Sequence, residues 1–438
     1  MAEKSSRPKL LQAMLDAFSL PDLRRRILIT IGILAAFRLI AHVPMPGVDS
    51  QALGELMQSN AVLGMLDIFS GGALRNFSLV ALGVYPYITA SIVMTLMTPV
   101  LPALQRLSQE GESGRNKINM ITHWMTVPLA AMGGWGQLVL LQREGVVAAS
   151  EPLVTAAIII SLTAGTLFLV WLGEQITQYG IGNGVSIIIF AGIVAGLPQL
   201  IGQGFLAKQQ FLGLAAYLLI ALATTILIVI FTEAHRRIPV QYAKTVIKSG
   251  RMYRQSGASH IPLRVNTAGM IPLIFASALV IFPGTVASYF ANPTGTDPNF
   301  ANTLVNWFNP SAALPIGLFY WVLFFLLTVA FAFFYTMVVF QQQDLPGTLQ
   351  KQGGFIPGIR PGKQTATYLN AVISHITWAG ALFLAVVAVM PFLAREITSV
   401  QTLQLSSFGM LIVVGVVLDT MKQLEAQLVM RRYEGFIK

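Results

Sequence analysis

Ten long apolar runs, at 27–43, 77–101, 118–141, 153–172, 185–201, 211–232, 265–290, 315–340, 368–393 and 405–421, fill most of the 438-residue chain. About 20 consecutive apolar residues are what a helix needs to cross a bilayer, where lipid offers no partner to an open backbone amide. Ten such runs leave little room for another architecture. Charged residues make up 11% of the sequence, against roughly 25% in soluble domains. That excludes an ordinary water-soluble enzyme and any disordered or fibrous class. The expected fold is all-α, a polytopic membrane protein with ten transmembrane helices. Pro86, Pro128, Pro198 and Pro272 fall inside the runs, where a bundle can satisfy the carbonyls that proline frees.

The basic residues set the orientation. The side away from the N-terminus keeps only Arg75, Arg143, Lys208 and Arg395, and Arg38 lies within the first run; the rest of the 28 Lys and Arg fall on the N-terminal side. By the positive-inside rule both termini are cytoplasmic. The N-terminal stretch lacks a signal peptide's apolar core and cleavage site, so the first span is expected to serve as its own insertion signal. Residues 9–20 read as an interfacial amphipathic helix within a cytoplasmic segment, 1–26. A short external polar stretch at 202–210 separates two halves, 27–201 and 211–421, of five spans each, with a cytoplasmic tail at 422–438. An odd number of spans per half would invert the second half relative to the first, an arrangement in which pathways run between repeats. That inversion rests on counting, since the halves share no clear sequence similarity.

Catalytic chemistry finds no footing. The chain has no cysteine and five scattered histidines, and no cofactor or metal-binding pattern. Gly180, Gly182 and Gly184 have phosphate-loop spacing without the strand–helix context, and read as a close backbone turn. Gly192 and Gly196 have the spacing of close helix packing. No carboxylate lies mid-span, Glu174 and Asp419 falling at cytoplasmic ends, so ion coupling is not expected. Arg38 either snorkels outward or binds a partner polar group.

Three features bear on function. Residues 61–78, AVLGMLDIFSGGALRNFS, hold an apolar helix too short to span, then a glycine break. This is either a re-entrant segment packed inside the protein or a helix lying on the external surface. Val84 and Ile88 share a helix face, as do Val185 and Ile189, with Ile274 and Ile412 near mid-span elsewhere. Rings of such side chains can gate a pore, but Ile and Val also commonly face lipid or neighbouring helices. The cytoplasmic loops 233–264 and 341–367 are basic, the second presenting Arg360 between Gly and Pro. They suit docking to RNA phosphate or an acidic protein face, or serve topology and attraction to anionic lipid. A small-molecule transporter and a membrane-embedded enzyme are the rival readings; the first has chiefly Thr95, Asn266 and Thr267 to work with, and the second has no His, Asp or Cys groups converging at one depth.

Longer motifs go further. SLVALGVYPYITASIVM at 78–94, VWLGEQITQYGIGNGVSIII at 170–189, IFSGGAL at 68–74, EGESGR at 110–115 and FIPGIRPG at 355–362 resemble the SecY family, whose members form the protein-conducting channel of the bacterial plasma membrane. The resemblance covers essentially the whole chain. It implies two inverted halves hinged around the fifth and sixth spans, opening laterally between the second/third and seventh/eighth, with Pro86 and Pro272 on seam-lining helices. It also implies a plug at about 61–75, including Ile68, Phe69, Ser70, Gly71, Gly72, Leu74 and Arg75. The pore ring would be Val84, Ile88, Ile189, Ile274 and Ile412, with Val185 as neighbour; Val84 stands where relatives often have Ile. Arg251, Arg254, Arg360 and Lys363 would dock the SecA motor and the ribosome, including its RNA. SecE and SecG would be companion subunits. Signal sequences and nascent polypeptides would be the cargo, and no cofactor is implied.

Overall fold

The computed structural model describes the chain apart from residues 1–19, 60, 148–150, 207–210, 249–250, 267–268, 293–297, 313–314, 344, 399–402 and 435–438. The helices in chain order are α1 (Pro21–Ala41), α2 (Ser50–Ser59), α3 (Ala61–Ser70), α4 (Tyr85–Val100), α5 (Pro102–Gln109), α6 (Glu112–Arg143), α7 (Pro152–Tyr179), α8 (Gly184–Leu206), α9 (Phe211–Glu233), α10 (Ile271–Phe290), α11 (Phe300–Trp307), α12 (Ile316–Gln343), α13 (Leu345–Lys351), α14 (Lys363–Thr398) and α15 (Leu403–Glu434). The strands are β1 (His235–Lys248), β2 (Arg251–Arg264) and β3 (Gly354–Phe355). The expected runs coincide with α1, α4, α6, α7, α8, α9, α10, α12, α14 and α15.

By length and hydropathy alone, five of the described helices suffice to cross a membrane, or six if α4 and α5, bent by 96° at their junction, form one span. α8 and α9 register as shorter apolar stretches over Gly184–Gly196 and Leu222–Glu233. α1 carries Arg24 to Arg26 near its start, and α15 carries Lys422, Arg431 and Arg432 toward its end.

Several boundaries differ from those the sequence suggested. The second span starts at Tyr85 rather than residue 77, because Phe77 has φ 39° and ends the preceding turn in the left-handed region. Pro86 and Pro272 therefore sit in the first turns of α4 and α10, where proline removes no intrahelical bond and imposes no kink. The interior prolines include Pro99, Pro128, Pro198 and Pro283. α8 runs on to Leu206, shortening the external divider, whose residues 207–210 lie outside the described residues. α15 runs on through most of the expected tail, to Glu434. The amphipathic stretch 9–20 lies almost wholly outside the described residues.

One buried cluster unites the spans, with Phe37, Val80, Leu162, Ile176, Leu273, Phe324 and Ala388 among its members. The two halves meet along two lines. α8 packs on α9 and α15, and α10 packs on α4 and α6. The protein is also not helical throughout. β1 and β2 pair antiparallel from His235↔Arg264 to Lys248↔Arg251, and β3 adds to β1 through Gln241↔Phe355. A second, smaller core holds the base of this sheet, where Ile238, Val240 and Leu263 pack with Phe340, Leu369 and Val372.

Candidate central seal and cytoplasmic docking surface

Helix α3 has ten residues, about 15 Å at 1.5 Å per residue, half the hydrocarbon thickness. Its apolar residues recur every three positions, so Leu63, Leu66 and Phe69 share a face, and all three are buried. It touches α4, α8, α10 and α15. That packing answers the question the sequence left open, because α3 lies inside the bundle and not on its surface. Burying three such side chains contributes roughly 5–9 kcal/mol relative to wetting them.

What ends α3 also seats it. Gly71 and Gly72 take φ 70° and 81°, a conformation that closes a helix and that L-residues disfavour. The Gly72 N–H donates to the Asp67 carbonyl at 2.9 Å. Ser70 Oγ donates to the same carbonyl at 3.0 Å and accepts from the Leu74 N–H at 3.0 Å. A side chain on Gly71 would stand 2.7 Å from Phe37 Cζ, and one on Gly192 would run into the Gly71 backbone. Gly192 thus serves the close approach of this turn to α8 rather than of another span, and Gly196 has open space around it. On the other flank, Gly83 packs against Ser70.

Polar contacts complete the seat. Arg38 Nη1 donates to the Gly71 carbonyl at 2.8 Å, so this arginine binds a partner within the protein. Asp67, with its side chain 4% exposed, accepts from Arg75 Nη2 at 2.8 Å and Nε at 3.0 Å through Oδ2. Its Oδ1 accepts from the Arg75 backbone N–H at 3.1 Å. Sequence reasoning passed over Asp67. Its signal was a lone carboxylate on an apolar helix, eight residues before an arginine.

The six candidate ring residues lie on four of the helices that touch α3. Val84 caps the start of α4 and Ile88 follows one turn on; Val185 and Ile189 are on α8, Ile274 on α10 and Ile412 on α15. Val84, Ile88, Ile189, Ile274 and Ile412 are buried members of the central cluster, and the half-buried Val185 packs against it beside Gly173. They lie inside the bundle and do not face outward. Of the candidate plug residues, Phe69, Ser70, Gly71 and Leu74 are buried, Gly72 is half-buried and Arg75 is exposed. Ile68 keeps its place on α3, and its side chain lies outside the described residues.

The junction of α4 and α6 with α10 combines polar contacts with a cavity. Tyr85 Oη donates to the Ala278 carbonyl at 3.1 Å, and Arg143 Nη1 to that of Ala291 at 3.1 Å. Gly136 lets the Tyr289 ring lie against its backbone. Beside these contacts is a cavity of about 250 Å³, lined by Leu82, Pro86, Trp135, Phe282 and Val286 and reached by Leu66 of α3.

The candidate docking residues occupy two places. Arg360 lies between Gly358 (φ 82°) and Gly362 (φ 100°), with buried Ile356 anchoring one side of its loop. Thr365 Oγ1 donates to the Arg360 carbonyl at 2.9 Å on the other, leaving the guanidinium and Lys363 exposed. Arg251 and Arg254 stand at the far end of the hairpin, opposite Lys248 and Thr245; their side chains, like Gly250, lie outside the described residues.

With this geometry established, known proteins supply a comparison. A family model described as SecY matches residues 78–421. The Protein translocase subunit SecY of Halalkalibacterium halodurans is 44% identical over 436 residues, covering 97% of this chain and 99% of the relative. That of Escherichia coli K12 is 40% identical over 429 residues, covering 96% and 95%. Among solved structures, one described as the structure of a protein conducting channel superposes with TM-score 0.66 at 16% identity, covering 95% of this chain and 97% of the other. Sec61 in the canine ribosome-channel complex gives 0.63 at 15% identity, with the same coverage.

Proposed function

The chain belongs to the SecY family, and from that premise we propose that it is the channel-forming subunit of a bacterial protein translocase. It passes unfolded secretory polypeptides across the plasma membrane and releases apolar segments sideways into it. One observation carries the reading: a short buried helix is enclosed by the same four helices that carry the six aliphatic side chains. Branched aliphatic side chains exclude water and ions, yet form no directional bond that would hold a passing chain. Residues 61–75 are the plug, closing the path at rest and moving aside when a chain enters. Supporting the lateral exit, α4 and α6 meet α10 through few polar contacts beside an apolar cavity. A signal sequence of about ten apolar residues, at ~0.8 kcal/mol per buried CH₂, prefers that seam to water.

The chain supplies no catalysis of its own in this reading, and energy comes from a bound motor or from translation. Arg360 and Lys363, with Arg251 and Arg254 on the hairpin, dock SecA and the ribosome, including its RNA. SecE and SecG complete the complex, both termini are cytoplasmic, and anionic lipid faces the basic surface. The test is site-specific crosslinking from Ile88, Ile189 and Ile412 to an arrested secretory chain. Adducts from all three positions are expected, and adducts from none would refute the conduit.

A further inference from the structure

The only ionisable side chains in residues 61–75 are Asp67 and Arg75. They bind each other through two nitrogens on one carboxylate oxygen, and the Arg75 backbone N–H takes the other. All of these atoms belong to the short helix and its trailing turn, so the pair keeps its bonds when the segment moves as a body. A polar contact that helps to seat the segment is separate. It runs from Arg38, on α1, to the Gly71 carbonyl, and Arg38 stays behind when that bond opens. One ion pair therefore fixes the shape of the segment, while an arginine outside it helps to fix its position.

We propose that the Asp67–Arg75 pair makes the plug electrically neutral, so that opening carries no net charge through the transmembrane field. The inference rests on the plug reading given above. Its physical basis is the work of moving charge across a potential. One elementary charge crossing the whole field shifts an equilibrium about 50-fold per 100 mV, and a partial crossing shifts it by a correspondingly smaller factor. A plug with one unpaired charge would open or shut with every change in membrane energisation, independently of cargo. With its charges paired inside a single body, the plug responds to the arriving polypeptide and not to the voltage.

The proposal predicts effects of opposite sign. Asp67→Asn leaves the plug with one positive charge, so its outward displacement is favoured by inside-positive voltage. Arg75→Gln leaves one negative charge, favoured by inside-negative voltage. The double variant is neutral again. The full chain, assembled with its companion subunits in a planar bilayer, is recorded without cargo between −100 and +100 mV. Relative to wild type, the two single variants should shift the voltage dependence of resting conductance in opposite directions, by at least about threefold per 100 mV. The double variant should return to the wild-type slope, a result that mere loosening of the plug would not give. Equal slopes, or shifts of the same sign, in the two single variants would overturn the proposal. A further variant lacking residues 61–75 separates the two readings. If its resting conductance matches wild type, the plug reading itself fails. If its conductance rises while the single variants share one slope, only the neutrality fails.

Discussion

Gly71 and Gly72 turn the backbone at the end of the central short helix, and Gly358 and Gly362 turn it around Arg360. All four hold positive φ, between 70° and 100°, and each pair has an arginine close by, yet their surroundings are opposite. Gly71 has the Phe37 ring and the Gly192 backbone against it, whereas nothing lies within 4 Å of where a Cβ would stand on Gly358 or Gly362. Gly71 is glycine because there is no room as well as because of its dihedral, whereas a Cβ on Gly72 would meet only Arg38 Nη1, at 3.9 Å. The outer pair is glycine for its dihedrals alone. One device thus seats a segment against its neighbours in the first case and displays a cation to an outside partner in the second.

The sharpest way to break this comparison is Gly71→Val. Overpacking adds about 1–3 kcal/mol and the left-handed conformation about 1–2 kcal/mol, so the short helix should lose its seat. Ion flux through cargo-free proteoliposomes should rise at least about tenfold, and unchanged flux would mean that the seat is not part of the barrier. Arg360→Glu is the outer counterpart. Motor-driven export should fall at least about tenfold while resting flux and thermal unfolding stay as in wild type; export at the normal rate would remove the docking role. Gly358→Ala is milder, losing about 1–2 kcal/mol of local stability to the positive φ without any clash. Its partner affinity should weaken a few-fold with no added leak, and any added leak would erase the distinction between the two pairs. The smallest effect is expected from Tyr85→Phe, which removes one hydrogen bond at the seam, about 0.5–1.5 kcal/mol. Crosslinking of a signal sequence to α4 and α10 should increase by no more than about tenfold, and a decrease would argue against the seam as the exit.

Much of this was legible in the sequence. Apolar runs gave the helices because helix length is tied to bilayer thickness, and the glycine break at 70–72 marked the end of α3. The basic loop 233–264 folds as a hairpin of fourteen-residue strands. Other features depend on neighbours distant in the chain. The start of the second span was misjudged because Phe77, an apolar aromatic, sits in a left-handed conformation that nothing in its composition suggests. Pro86 read as interior to its span because its place in the first turn depends on where the helix begins. Whether α3 lay inside or on the surface was decided by packing against helices as much as 350 residues away in sequence, such as α15. Gly192 shows the same limit, since its spacing signalled close packing but not that the partner was the turn at Gly71.

The antiparallel hairpin has a mechanical consequence. Fourteen rungs of strand make a rod of roughly 45 Å, and its root is welded through Ile238, Val240 and Leu263 to Phe340 of α12 and to Leu369 and Val372 of α14. A sideways push at the distal end arrives at those two helices as torque, magnified by the length of the arm. Whatever grips the tip thus holds a crank on the frame of the second half.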